Sequence, residues 1–478
     1  MAHTINFSKT GTTIYPHTGV SRVTNYVPNA PQISLTEVLD AYQDGGDVTN
    51  VTRRNVTEAI ELILRPTAAN DMSQVEDFIQ DLEFMFFEAA QYQKDRGGAQ
   101  WFLNFTPQDT SGTWRSEILA GSVQIPAESM RKWAIGDAAM LMVNLIRRYY
   151  WEGAETELEI ANPASPTPAT GGKGIYNQLD AGSGYYNYIE IISGDIATKI
   201  PAPCRVEITS TYTSGRQYDY YIGQAVFSDV DVIPVNLEGE DMLQAQGSPT
   251  YPTGTQYSGG SAIQWSNISW YDWPTVVGFW ALTSAQLVAM AGRRYKILAK
   301  TYNVVPSGLF MRFLVRLYIS SPVSSLTTVH QTGERFITDD NEPITDMGSI
   351  VLPPWLPNND SYHALAFGIN FYDPNSVGSA YLQLDNVLLM PADYFRVLDC
   401  YSYGIEDGER IGDDGMSGDV WVDGWTDDTD GKLGYYTGIG APFMIWPGRD
   451  QRFYFLSDSH ALATNTIRIY YRPRRLTV

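Results

Sequence analysis

Ser73-Gln74-Val75-Glu76-Asp77-Phe78-Ile79-Gln80-Asp81-Leu82-Glu83-Phe84-Met85-Phe86-Phe87-Glu88-Ala89 decides how this chain is read, because it is the clearest helix in a sequence otherwise patterned for strands. Ser73 and Glu76 form a capping box, in which a hydroxyl and a carboxylate satisfy backbone N–H groups that a helix start leaves free. Val75, Phe78, Ile79, Leu82, Phe86 and Ala89 then recur at helical spacing until Gly97-Gly98 ends the run. A single apolar stripe of this kind is built to lie on a sheet.

The flanking sequence supplies that sheet. Val51 to Leu64 alternates as a strand and Pro66 stops it, because proline cannot donate to a strand ladder. Strands resume at Trp101 to Phe105, Trp114 to Ile125 and Met140 to Trp151, the last with Leu141, Val143 and Leu145 on one face. One helix among these strands predicts a β-sandwich with a covering helix over residues 31–162. Residues 1–30 are polar, with Pro16 and Pro28 and no apolar period, and are expected to form an extended arm ordered by a neighbouring subunit.

Composition bounds the rest. A chain of 478 residues exceeds one ordinary core, so two or three domains are expected. An aromatic fraction of 13% against 18% charged residues favours half-buried pleated surfaces, so the fold class is mainly β. The net charge of −22 opposes a tight grip on nucleic acid, which needs a basic footprint. That charge suits a soluble acidic protein, and equally a conduit that DNA must pass without sticking. Cys204 and Cys400 are far apart and provide no disulfide framework, which points to a reducing compartment. The first thirty residues do not pattern as a secretory signal, and no run approaches the roughly 18 apolar residues of a membrane span, so no membrane insertion is expected.

Residues 163–173, rich in Pro, Ala, Thr and Gly, read as an interdomain linker. From 174 to 395 short apolar runs recur between Gly, Pro, Asn and Ser clusters, among them Tyr185 to Ile192, Tyr295 to Tyr302, Phe310 to Ile319 and Tyr381 to Met390. They predict an inserted jelly-roll-like β-sandwich. Its closing Leu384-Asp385-Asn386-Val387-Leu388-Leu389-Met390-Pro391 resembles the carbohydrate-module type of jelly roll, although such a fold by itself names no sugar. Residues 396–478 carry further strands but too few apolar residues for a core of their own, and are expected to pack back on the first domain.

Chemical motifs are scarce. No nucleophile elbow, phosphate loop, dinucleotide fingerprint or zinc-protease helix occurs, and His3, His17, His330, His363 and His460 are scattered singly. The chain is therefore read as neither an enzyme nor a cofactor protein. The acidic stretch from Glu406 through Asp430 offers oxygen ligands for calcium, yet Thr426 and Thr437 stand where an EF-hand needs its first and last carboxylates, so it is read as a solvated loop and no metal site is assigned. Trp265, Trp270 and Trp273, with Trp280 and Tyr271, could stack on sugar rings if exposed or fill a core if not. Arg472, Arg474 and Arg475 stand against the acidic average and could clip onto carboxylates of a second subunit or remain solvated.

Trp114-Arg115-Ser116, the following Gly121, Tyr150-Trp151-Glu152-Gly153 leading to Asn162, and the closing Tyr471-Arg472-Pro473-Arg474 together resemble structural proteins of the non-contractile tails of long-tailed bacteriophages, the siphoviruses. The resemblance implies a tail-tube-like first domain that builds a homo-oligomeric ring, a trimer or hexamer. It implies a virion tail protein assembled in the host cytoplasm, contacting neighbouring tail proteins around a channel that DNA crosses. A tail tube subunit is the leading expectation and the distal tail ring protein the runner-up. A glycan-binding adhesion protein acting through the middle domain is the alternative. A glycan-degrading enzyme ranks last, since it would need two carboxylates about 5 to 10 Å apart across a cleft.

Overall fold

The computed structural model describes residues 4–16, 21–39, 46–65, 73–108, 112–129, 138–178, 186–226, 235–243, 248–268, 278–282, 284–305, 309–318, 326–337, 344–352, 365–372, 380–400, 404–423 and 436–478. The chain is mainly β, organised in antiparallel sheets, and divides into two compact units. Unit 1 comprises Met1–Thr156, Ala197–Ala202 and Arg472–Val478, and unit 2 comprises Glu157–Ile196 and Pro203–Tyr471.

Unit 1 contains, in chain order, β1 (Thr4–Lys9), β2 (Thr12–Ile14), β3 (Ser21–Asn25), β4 (Ile33–Leu39), β5 (Gly46–Arg53), β6 (Val56–Leu64), α1 (Ser73–Asp95), β7 (Trp101–Thr106), β8 (Trp114–Gln124), β9 (Ala139–Arg147) and β10 (Trp151–Glu152). A nine-stranded sheet runs β2-β1-β7-β8-β9-β6-β3, with β10 and the C-terminal strand Arg474–Arg475 joined at the side of β8. The periodicity of α1 is realised: Val75, Phe78, Ile79, Leu82, Phe86 and Ala89 are buried, joined by Met85, which extends the same stripe. They meet Ile60 and Leu62 of β6 and Leu141, Val143 and Leu145 of β9 in one core. Each large side chain removed from water in this way contributes about 1.5–3 kcal/mol.

Several expectations for this region are corrected. The segment expected as an arm supplies an inner strand, because Ile5 and Phe7 alternate into the core at 3% and 0% exposure and β1 pairs on both sides. Asn104 on β7 fixes that edge, donating to Asn6 Oδ1 at 2.7 Å and Ser8 Oγ at 2.8 Å. The strand read from Val51 to Leu64 is two strands, since β5 pairs with β4 whereas β6 pairs with β3 and β9.

Unit 2 is two sandwiches nested in sequence. The inner one, residues 235–391, stacks a five-stranded sheet built on Arg294–Val305 and Ala380–Pro391 against another built on Leu309–Tyr318 and Leu365–Tyr372. Ile297, Leu384 and Leu389 from one sheet meet Phe313, Phe367 and Phe371 from the other. The outer one has two seven-stranded sheets. In the first, Ala202–Ser210 lies between Thr464–Tyr471 and Arg410–Asp414. In the second, Gln451–Ser457 lies between Tyr188–Ile191 and Tyr220–Val226. Tyr220 and Gln217 reach Asn465 across the outer sandwich, while Tyr221, Tyr454 and Leu456 pack on Leu298, Leu388 and Met390 of the inner one.

These pairings move the expected boundaries. The segment expected as a linker contains the strand Ser165–Ala169, an edge position where Pro166 and Pro168 cost no ladder bonds. Of the strands between 396 and 471, Arg410–Asp414, Gln451–Ser457 and Thr464–Tyr471 pair with strands of the segment 158–226, and it is Arg472–Val478 that belong to unit 1. Partners some 250 residues apart leave no local trace in sequence.

Candidate functional site

The residues that carry the sequence resemblance converge in unit 1. The C-terminal strand lies antiparallel to β10, placing Arg475 opposite Trp151 and Arg474 opposite Glu152. Arg474 donates to Glu152 Oε1 at 2.6 Å and to the Tyr150 hydroxyl at 3.1 Å, and its guanidinium stacks on the Tyr150 ring. Arg475 covers the Trp114 ring, and Arg472 reaches Glu155 at 3.4 Å. Gly153 donates to the Pro473 carbonyl at 2.8 Å, with the Trp114 ring against its α-carbon. The three arginines expected to clip a second subunit thus close their own unit. A half-buried carboxylate within the chain is already their partner, and a half-buried charge-assisted pair is stronger than a solvated one.

Beneath this corner Glu58 and Arg147 form an ion pair at 2.7 Å with 1% and 0% exposure. Arg147 also donates to the Asn29 and Arg148 carbonyls, and Glu58 accepts from the Asn29 N–H. Burial outweighs Arg147 and pushes the Glu58 carboxyl above its usual value. No sequence motif announces the pair, although a charged residue on each of two apolar strands, β6 and β9, is a sign that could have been read.

One face of α1 stays uncovered. Phe84 and Phe87 are 57% and 60% exposed, beside Tyr15 at 56%. Phe84, Phe78, Trp101, Ile14 and Tyr15 line a groove of about 510 Å³ with Asp81 at its side. Lys9 is held there by Glu88 at 2.6 Å, whose same oxygen accepts from the Trp101 indole at 2.9 Å. These exposed aromatics were legible only as breaks in the helix's polar face.

In the inner sandwich Trp265 is 2% exposed, packed in the core against Phe371 at 5.4 Å, and Trp280 is buried with its indole donating to the Glu238 carbonyl. Trp265 alternates inward on its strand opposite Leu382, which removes it as a sugar-stacking ring. Trp270 and Trp273 lie outside the described residues, as do His3, His17, His363 and Asp427–Asp430. His330 is exposed on an edge pairing, and His460 accepts from the Leu462 N–H through Nδ1.

Part of the acidic stretch is ordered structure. Arg410–Asp414 and Asp419–Asp423 form a hairpin, Asp413 is buried on Arg396 at 2.6 Å, and Arg410 bridges Glu207 and Asp423. Alternation of Ile411 with charged neighbours places that hairpin in a sheet.

Two carboxyls with raised pKa values lie where the inner sandwich's first and last strands pair. Asp385 has no exposed surface and accepts from the Ser258 N–H at 2.8 Å, while Ser258 Oγ and Asn236 donate to Glu238 at 2.7 and 2.6 Å. Burial raises Glu238 to about 8 and Asp385 to about 7, with Lys300 opposing the rise at Asp385. Glu238 therefore holds its proton near neutrality, and Asp385 titrates in that range. Glu238 Oε2, Asp385 Oδ2 and Asn386 Oδ1 are buried oxygens that could face a cation, yet among the described residues no three His, Cys, Asp or Glu side chains converge as metal ligands. Among the described residues, no helix is long and apolar enough to cross a membrane.

No family model and no curated protein matches the chain. Among solved structures it is similar to the SPP1 Dit (gp 19.1) protein, described as a paradigm of the hub adsorption apparatus in phages infecting Gram-positive hosts. The identity is 7% and the TM-score 0.35, over 98% of this chain and 99% of that one. It is similar to the phage P2 baseplate in its activated conformation with Ca at 10% identity and TM-score 0.27, over 78% of this chain and 99% of that one. It is also similar to an exo-β-1,3-galactanase from Phanerochaete chrysosporium at 11% identity and TM-score 0.19, over 71% and 86% respectively.

Proposed function

We propose that this chain is a structural subunit of the tail of a long-tailed bacteriophage, self-assembling through unit 1 into a ring around a channel that DNA crosses without tight binding. The observation that carries the reading is a convergence. Trp114, Tyr150, Glu152 and Gly153 are met by Arg472–Arg475 from the far end of the sequence, so the scattered strings behind the resemblance make one piece of structure. The net charge of −22 suits a channel wall that must not retain phosphate.

Within that reading we favour the single distal ring over the repeating tube. In sequence, unit 2 inserts two nested sandwiches into unit 1, and a subunit repeated along a tube would carry both in every copy. The deciding test is oligomeric state by light scattering of the full chain at rising concentration. A defined ring mass that stops growing supports the distal position. Continued growth into tubes favours the tube subunit, and a persistent monomer, alone and with other tail components, rejects both.

A further inference from the structure

We propose that the β4–β5 ribbon of one copy lies on the exposed face of α1 in the next copy. This rests on the self-assembly reading above and names the surfaces that would carry it. β4 and β5 pair from Ile33↔Arg53 to Leu39↔Gly46, and among the described residues no third strand joins them. An isolated two-stranded ribbon is marginal in water, so one of this length calls for a surface to lie on. Within one chain β4 and β5 pack chiefly on each other.

Charge tells which surface. Arg53 and Arg54, at the base of the ribbon, are exposed, and among the described residues neither guanidinium is engaged. In a chain of net charge −22 they make a local positive spot. On α1, Asp77, Asp81, Phe84 and Phe87 follow at helical spacing and form one exposed stripe. The aromatic rings give an apolar floor and the aspartates an acidic rim. Lys9, the cation lining that groove, is already taken by Glu88, so the rim keeps its negative sign.

Ribbon and helix face are different surfaces of the same unit. The contact is therefore heterologous: it runs from each copy to the next and closes into a ring when the rotation allows. A second copy is the occupant these observations select, because the complementary charges are both written in this chain.

The test uses two variants of the full chain, Arg53→Glu with Arg54→Glu and Asp77→Arg with Asp81→Arg, all at exposed positions. Each should weaken self-association by at least about tenfold with an unchanged melting curve. Mixed one to one they should assemble again, since the intact ribbon of one meets the intact face of the other and the two charge-reversed surfaces complement each other in turn. All four changes in one chain should restore assembly. If both variants assemble like the parent, this contact is wrong and self-assembly stands. If the variants are monomeric and the mixture stays monomeric, the contact is likewise wrong. A monomeric parent chain would remove the self-assembly reading and this proposal together.

Discussion

Gly121 shows how one residue sets the distance between a helix and its sheet. A β-carbon there would lie 2.1 Å from Phe86 Cε1, inside any real contact, so α1 can lie on β8 only over glycine. Gly121→Ala should destabilise unit 1 by about 1–3 kcal/mol, the usual cost of forcing a methyl into a filled core, read as a lower denaturant midpoint with an unchanged slope. Glu238 and Asp385 make a different claim. Their carboxyls are raised to about 8 and about 7 in the folded protein, above the 4.5 and 3.8 they would have when exposed. A raised carboxyl contributes stability that is complete below its unfolded value and is lost as pH climbs through the folded value. The inner sandwich should therefore melt at a higher temperature at pH 5 than at pH 9, with the loss beginning as pH rises past the exposed values and complete once it has passed about 8. Glu238→Gln should flatten part of that slope, and a melting temperature that rises with pH over this window would refute the assignment.

At the scale of elements, legibility followed the range of the interaction. The helix of 73–95 could be read residue by residue because its cap, stripe and stop all lie within its own sequence. Strands such as Leu309–Tyr318 and Ala380–Pro391 were legible as runs for the same reason. Their partners were not. Gln451–Ser457 reads as an apolar run anywhere, and nothing in it says that it lies between Tyr188–Ile191 and Tyr220–Val226. The candidate site divides in the same way. The arginines of the C-terminal strand were visible as a cluster, but Glu152 as their partner required the fold, and Trp265 could be assigned to the core only once its inward alternation was known. The nesting gives a direct prediction about fragments. Residues 235–391 contain both sheets of the inner sandwich and should give a soluble product with a cooperative melt. Residues 174–395 keep Tyr188–Ile191 and Tyr220–Val226 without Gln451–Ser457 between them, and should aggregate through those open edges. Equal solubility of the two fragments would show that the pairing is dispensable.

The whole molecule consists of a unit assembled from residues 1–156, 197–202 and 472–478 and a larger nested unit that interrupts it in sequence. Closing such a unit on its last strand is a long-range step, slower than forming local hairpins. Its ribbon, which no third strand joins among the described residues, and its exposed aromatic face are surfaces that self-assembly would cover. Electron microscopy of the purified full-length protein tests this most directly. The account predicts closed rings of uniform subunit number with an open centre. A field of single particles with monomer mass at high concentration, or a central channel lined mainly by Lys and Arg, would contradict it.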